Sequence, residues 1–147
     1  MNKEHAIERM RELVDAKVPF LHQGRDHNGI DCVGALAYAF QYDGPLPAYP
    51  RDPVNGELER NLRDIFGPPV LERAGTLAPP LAAALLRPGD VVSMQYRGPV
   101  RHVALLAPHV AIAGQLSVIH TDAMLGRVTE HILDEKWLRR IMRVWRP

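Results

Sequence analysis

Hydrophobic residues recur at the three- and four-residue spacing of an amphipathic helix in three segments of the first half of the chain. These segments are residues 3–16, 32–40 and 56–66. A shorter apolar stretch, residues 81–86, predicts one or two further helical turns. The loops between these segments are rich in Gly and Pro, which end helices.

The pattern changes after the turn Pro88-Gly89-Asp90, where short apolar runs typical of β-strands replace the helical spacing. The turn Arg97-Gly98-Pro99 between the first two runs predicts a hairpin. The predicted strands are residues 91–96, 102–106, 111–113, 116–120, 127–132 and 141–145, with a helical turn at 134–138 before the last. Helices followed by antiparallel strands are an α+β layout, and 147 residues predict a single domain over 1–147.

The segment around Cys32, the only cysteine, predicts a buried helix with a nucleophile in its first turn. Asp31 precedes the apolar face, and Asp is a preferred N-cap residue. Unpaired backbone N–H groups and the helix dipole favour a thiolate at that position. A lone cysteine in an apolar helix is also often an inert core residue, so both interpretations stay open here. The apolar face comprises Val33, Leu36, Ala37 and Phe40.

Composition excludes several classes of protein. A net charge of +1 argues against a dedicated nucleic-acid binder. One cysteine cannot form an internal disulfide, so the fold does not depend on an oxidising compartment. The charged N-terminal segment lacks the apolar core of a secretory signal, and no run approaches the roughly 18 apolar residues of a membrane span. We therefore expect a soluble protein made in the cytoplasm, which needs another delivery route for any role outside.

Two of the seven histidines are best placed to act with Cys32. His102 opens one predicted strand and His120 closes another, so adjacent antiparallel strands would bring them together. One imidazole would hold the thiolate as an ion pair and later protonate the leaving amine, while the other would fix its tautomer. A metal site on the same three residues is the competing interpretation. No CxxC or HxxxH pair supports it, so neither a metal nor a cofactor is expected.

Residues 43–56 form a proline-rich loop with two interpretations. It is either a stiff connection between helices or a functional loop that shapes a binding pocket. Its prolines are Pro45, Pro47, Pro50 and Pro53.

Four pieces of the chain, in order, resemble the NlpC/P60 family of cell-wall cysteine peptidases. Residues 19–34 read P-F-L-H-Q-G-R-D-H-N-G-I-D-C-V-G, in step with the family's P-Y-x-[YW]-G-G-x-x-x-x-G-x-D-C-S-G. Residues 86–92 match its L-x-P-G-D-L-V, and residues 102–106 match its H-V-G-I-Y. The pair Ile119-His120 matches the third polar residue after a short apolar strand.

The resemblance implies a papain-like α+β fold in which the cysteine helix packs on an antiparallel sheet. It implies that Cys32 is the nucleophile, His102 the base and His120 the orienting residue, with the Cys32 backbone N–H facing the oxyanion. The implied substrate is a peptidoglycan stem peptide, cut between D-glutamate and the diamino acid through a thioester.

The form H-Q-G-R followed by G-x-D-C-V-G also resembles the phage and prophage branch of the family. That branch implies association with phage tail proteins and a tail-borne enzyme that reaches the cell wall as part of a particle.

Three residues depart from the family pattern. His22 stands where an aromatic residue is usual, Gln23 replaces the first glycine of a pair, and Val33 replaces a serine that helps to hold the amino end of the stem peptide. With Asp31, these residues are expected on the substrate-binding or oxyanion side of the site. Two alternative functions remain: a tail assembly module with an idle site, and a thiol acyltransferase or amidase on the same fold.

Overall fold

Three helices cover one face of a six-stranded antiparallel sheet. The computed structural model describes residues 1–147. The helices are α1 (Lys3–Asp15), α2 (Cys32–Ala39), α3 (Glu57–Phe66) and α4 (Glu135–Leu138), with a 3-10 turn at Ala83–Leu85. The strands are β1 (Arg25–Asp26), β2 (Gly29–Ile30), β3 (Leu71–Glu72), β4 (Val91–Gln95), β5 (Val100–Pro108), β6 (Leu116–His120), β7 (Thr129–Ile132) and β8 (Ile141–Trp145). The strand order in the large sheet is β3-β8-β4-β5-β6-β7.

Alternation along β5 divides the core into two layers. Val103 and Leu105 point into a hydrophobic cluster shared with α1, α2 and α3. Ala104 and Leu106 point to the opposite face, where Trp137 and other apolar residues near α4 cover the sheet. Because successive side chains of a strand face opposite sides, a sheet buried on both faces needs such a continuous apolar run.

Helix α2 begins at Cys32 because Asp31 caps it. The Asp31 side chain accepts a hydrogen bond from the Gly34 backbone N–H at 2.8 Å, which satisfies one of the free donors of the first turn. Apart from Cys32 and Tyr38, every residue of α2 is buried, as expected for a helix that is apolar on all sides. The predicted N-cap and the position of Cys32 in the first turn are confirmed.

The structure confirms the α+β fold class and most of the predicted elements. The strands predicted at 116–120 and 141–145 have the observed bounds, and Arg97 and Gly98 form the predicted hairpin turn. The strand predicted at 111–113 is wrong. The backbone N–H groups of Ala111 and Ile112 donate instead to Nδ1 of His109, at 3.1 and 3.0 Å, in an exposed turn.

Two features of the fold were not predicted. The short β1–β2 hairpin lies inside the segment predicted as a loop, and β3 pairs with β8 through only two residues.

None of the helices combines the length and the apolar character that a membrane crossing requires. That residues 1–147 form a single domain stays a prediction.

Candidate active site

Cys32 and His102 line one cavity of about 220 Å3. Cys32 reaches it from the start of α2, and His102 from near the start of β5. The proline-rich loop supplies part of its wall, so this loop is more than a connection between helices. The loop residues at the cavity are Tyr49, Pro50, Arg51, Asp52 and Pro53.

The surroundings of Cys32 favour the neutral thiol over the thiolate. Burial raises the pKa of the thiol to about 12, and the Asp31 carboxylate acts in the same direction. Hydrogen bonds from the backbone of Val103 and Val33 lower the pKa, but burial outweighs them. The sequence predicted a thiolate from the free N–H groups and dipole of the helix and from an imidazole partner. The dipole is opposed here by a carboxylate one residue away and by loss of solvent.

His102 and His120 lie side by side, with Nε2 of His102 and Nδ1 of His120 only 2.5 Å apart. Both are almost fully buried. Burial lowers the pKa of His102 to about 3, and the charges of Arg140 and His131 add to this effect. Burial likewise lowers the pKa of His120 to about 2, together with the charges of His102 and His131. These shifts favour a neutral thiol and neutral imidazoles, so the ion pair expected from the sequence stays a prediction.

This protonation state predicts how the thiol reacts with pH. Because iodoacetamide reacts with the thiolate, its rate with Cys32 should rise about tenfold per pH unit from pH 7 to pH 10. Free cysteine should level off near its own pKa of about 8.5 in the same assay. Cys32→Ala gives the blank, since the chain has no other cysteine. A rate that is already constant below pH 7 would indicate a thiolate–imidazolium pair instead.

Asp31 is a structural centre of the site. Its Oδ1 accepts from the Gly34 backbone N–H at 2.8 Å and from the Arg25 guanidinium at 3.0 Å. Its Oδ2 accepts from the Gln23 backbone N–H at 2.7 Å and from the Tyr49 hydroxyl. These bonds occupy both oxygens, so Asp31 joins α2, the residue 20–30 segment and the proline-rich loop.

Gln23 ties the proline-rich loop to the site. Its φ of 59° lies in the left-handed region that favours glycine, which explains why the family pattern has glycine at this position. Its side-chain Oε1 accepts a hydrogen bond from the Tyr49 backbone N–H at 3.0 Å. The side chain thus supplies a tether that glycine cannot form, at the expense of a strained backbone.

Paired substitutions at Gln23 separate the strain from the tether. Gln23→Ala should lower the free energy of unfolding by about 1 kcal/mol, because the hydrogen bond is lost and the strain remains. Gln23→Gly loses the same bond but relieves the strain, so it should be about 1 kcal/mol more stable than the alanine variant. Urea denaturation measures both. Equal stability of the two variants would show that Gln23 stores no strain.

The other two departures lie in different surroundings. His22 lines the cavity and packs edge-on against Tyr49, with ring centroids 5.6 Å apart. Val33 does not line the cavity. It is fully buried in the hydrophobic cluster between the helices and the sheet, so it acts as a core residue in this structure and not as a substrate contact.

Several side chains at the site were not singled out from the sequence. Tyr96 stacks on His102 with ring centroids 5.6 Å apart, and Tyr49 and Arg101 join the cavity wall. His131 lies 2.7 Å from His120 between their Nε2 atoms. Its place on a predicted strand was visible in the sequence, but the pairing of that strand was not.

The distances between the ring nitrogens of neighbouring histidines match hydrogen bonds and not ligands of one zinc ion. The ring nitrogens of neighbouring rings are 2.5 and 2.7 Å apart, whereas two nitrogens bound to one tetrahedral zinc ion at 2.0–2.1 Å would be about 3.3 Å apart. No group of three or more His, Cys, Asp or Glu side chains is arranged to hold a metal ion.

Comparison with known protein families identifies the chain's family. The family model described as the NlpC/P60 family matches residues 17–146, a range that includes every residue of the candidate site. No curated protein matches the chain.

Proposed function

The chain belongs to the NlpC/P60 family, whose members are generally cell-wall cysteine peptidases or hydrolases, and from this premise we propose that it hydrolyses peptidoglycan stem peptides at the bond between D-glutamate and the diamino acid. The observation that carries the proposal is that Cys32 and His102 line one cavity, where Nδ1 of His102 has no protein hydrogen-bond partner. A thiol and an imidazole nitrogen that is free to accept a proton, both at one cavity, are the groups that thioester chemistry needs.

The proposed reaction begins from the neutral pair. His102 Nδ1 takes the thiol proton as Cys32 Sγ attacks the carbonyl carbon, and the resulting oxyanion faces the Cys32 backbone N–H. Collapse breaks the C–N bond and releases the amine, which leaves with the proton from His102. Water then attacks the thioester while His102 takes its proton. The C–S bond breaks, and that proton returns to sulfur.

Two arginines at the cavity support a substrate with free carboxylates. Arg51 and Arg101 line it beside Asp31, Asp52 and Asp122, and a stem peptide carries free carboxylates that guanidinium groups bind well. Arg101 lies 3.2 Å from the exposed Asp52 carboxylate, a contact weak enough for a substrate carboxylate to replace.

Product analysis tests the proposal. Purified protein is incubated with peptidoglycan sacculi, and the soluble products are identified by mass spectrometry. The proposal expects peptides ending in D-glutamate and new amino groups on the diamino acid. Products joined to an added amine or lipid would indicate a thiol acyltransferase or amidase. No release, together with an unreactive Cys32, would indicate a structural module with an idle site.

We also propose that the protein is made in the cytoplasm and acts at the cell wall as part of a phage tail particle. This rests on the similarity of residues 22–34 to the phage and prophage branch. Mass spectrometry of particles purified after prophage induction tests it, with recovery of the chain in the tail fraction as the expected result. Its absence from intact particles would contradict the proposal.

A further inference from the structure

Three imidazole rings form a continuous row that starts at the cavity and ends at a backbone carbonyl. Nε2 of His102 lies 2.5 Å from Nδ1 of His120, and Nε2 of His120 lies 2.7 Å from Nε2 of His131. Nδ1 of His131 lies 2.9 Å from the carbonyl oxygen of Ile132. Each of these separations is a hydrogen-bond distance, so the rings are linked from end to end.

The carbonyl fixes where every proton in the row lies when the rings are neutral. A carbonyl oxygen only accepts, so Nδ1 of His131 must carry a proton, and its Nε2 is left as an acceptor. Nε2 of His120 must then donate to His131, which leaves Nδ1 of His120 as an acceptor. By the same reasoning Nε2 of His102 donates to His120, and Nδ1 of His102 keeps its lone pair.

We propose that His131 is a positioning residue that acts through His120 to hold His102 with its proton on Nε2 and its Nδ1 free to accept the thiol proton of Cys32. This role rests on the proposed function, because the row acts in catalysis only if Cys32 and His102 hydrolyse the stem peptide. Without His131, Nε2 of His120 loses its acceptor, and nothing prevents His120 from carrying its proton on Nδ1. His120 would then donate to His102 and force the His102 proton onto Nδ1, where it blocks the base.

The surroundings keep the row intact. Trp137 packs against the rings of His120 and His131, with centroids 4.8 and 5.0 Å away. It also lies within 6.5 Å of His102. This indole covers the row from the α4 side, while His131 is only half-buried and its bond to the Ile132 carbonyl lies at the surface. The register that pairs Val118 of β6 with His131 of β7 brings the third ring to the row.

Nitrogen NMR measures which ring nitrogens of the row carry a proton. Long-range proton–nitrogen correlation spectra of uniformly 15N-labelled protein near neutral pH distinguish protonated from unprotonated ring nitrogens. The expected wild-type result is a proton on Nε2 of both His102 and His120. In His131→Leu, both rings should shift toward the Nδ1-protonated form. A proton on Nδ1 of His102 in the wild type, or unchanged tautomers in the leucine variant, would overturn the proposal.

Kinetics test what the row does for the reaction. In His131→Leu, kcat for stem-peptide hydrolysis should fall about tenfold with KM unchanged, the effect of losing one hydrogen bond that selects the tautomer. His131→Gln keeps an acceptor oxygen near the Nε2 position and should retain kcat within about threefold. His5→Leu, the same change at an exposed histidine of α1, is the matched control and should behave as wild type.

The outcomes separate this inference from the proposed function. Wild-type kcat in His131→Leu, or a glutamine variant as slow as the leucine variant, would overturn the positioning role. If the wild type hydrolyses no stem peptide, the proposed function fails and the kinetic role fails with it, while the NMR tautomers still confirm or overturn the row. If thermal unfolding shows that His131→Leu does not fold, the positioning role is tested by the wild-type tautomers and by kcat of His131→Gln.

Discussion

Cys32→Ala is expected to abolish stem-peptide hydrolysis, with kcat falling by about 10^4-fold or more, because no other side chain in the cavity offers a sulfur nucleophile. Release of soluble peptide from sacculi, followed over time at fixed protein concentration, measures the loss. The loss appears in kcat with little change in KM, since the thiol takes part in bond making and contributes little to binding.

Two controls make the result specific to the thiol. Cys32→Ala removes a single sulfur atom from a half-buried side chain, so its thermal unfolding midpoint should stay close to that of the wild type. Cys32→Ser retains a nucleophile of similar size whose pKa is far higher, and it should be nearly as inactive. Hydrolysis that survives in Cys32→Ala would assign the chemistry to another group and refute the thioester mechanism.

His102→Gln is the second large effect, with an expected fall in kcat of about 10^3-fold. Glutamine fills the buried position and keeps a donor toward His120, but it cannot take a proton from the thiol at neutral pH. The loss exceeds that expected for His131→Leu because the base itself is removed, whereas the row only selects its tautomer. Hydrolysis of a defined stem peptide at saturating concentration gives kcat for both variants.

The corresponding change at His120 is the matched comparison. His120→Gln keeps a polar partner for Nε2 of His102 and leaves Nδ1 available, so its kcat should lie between those of His102→Gln and the wild type. An equal loss in the two glutamine variants would mean that His120 itself takes part in proton transfer. Unfolding midpoints are needed in both cases because the two rings are almost fully buried.

Much of this site follows from local rules that the sequence obeys on its own. Aspartate is a preferred N-cap residue before an apolar helical face. Asp31 therefore caps α2, and Cys32 lies in its first turn. Strand ends follow from where apolar runs stop, so His120 was predicted correctly as the last residue of β6. These features depend on neighbours within a few residues, which is why periodicity and capping determined them.

Register and burial lie beyond such rules. His131 joins the row only because β7 pairs with β6 so that Val118 lies opposite it, and strand register depends on contacts between distant segments. Gln23 could be identified as a departure from the family pattern, but its bond to Tyr49 needed the loop to fold back over the site.

The sequence by itself determined the fold class, the cysteine helix and the two histidine strands, because spacing and capping are properties of contiguous residues. Only the tertiary structure decided the direction in which the pKa values of the site shift. Burial by residues from several elements raises the pKa of the Cys32 thiol and lowers those of the His102 and His120 imidazoles, since an ionised group loses its solvation wherever the chain closes over it. The direction of the hydrogen bonds along the histidine row also depends on the tertiary structure. The Ile132 carbonyl sets this direction through His131, and only the fold links His131 through His120 to His102.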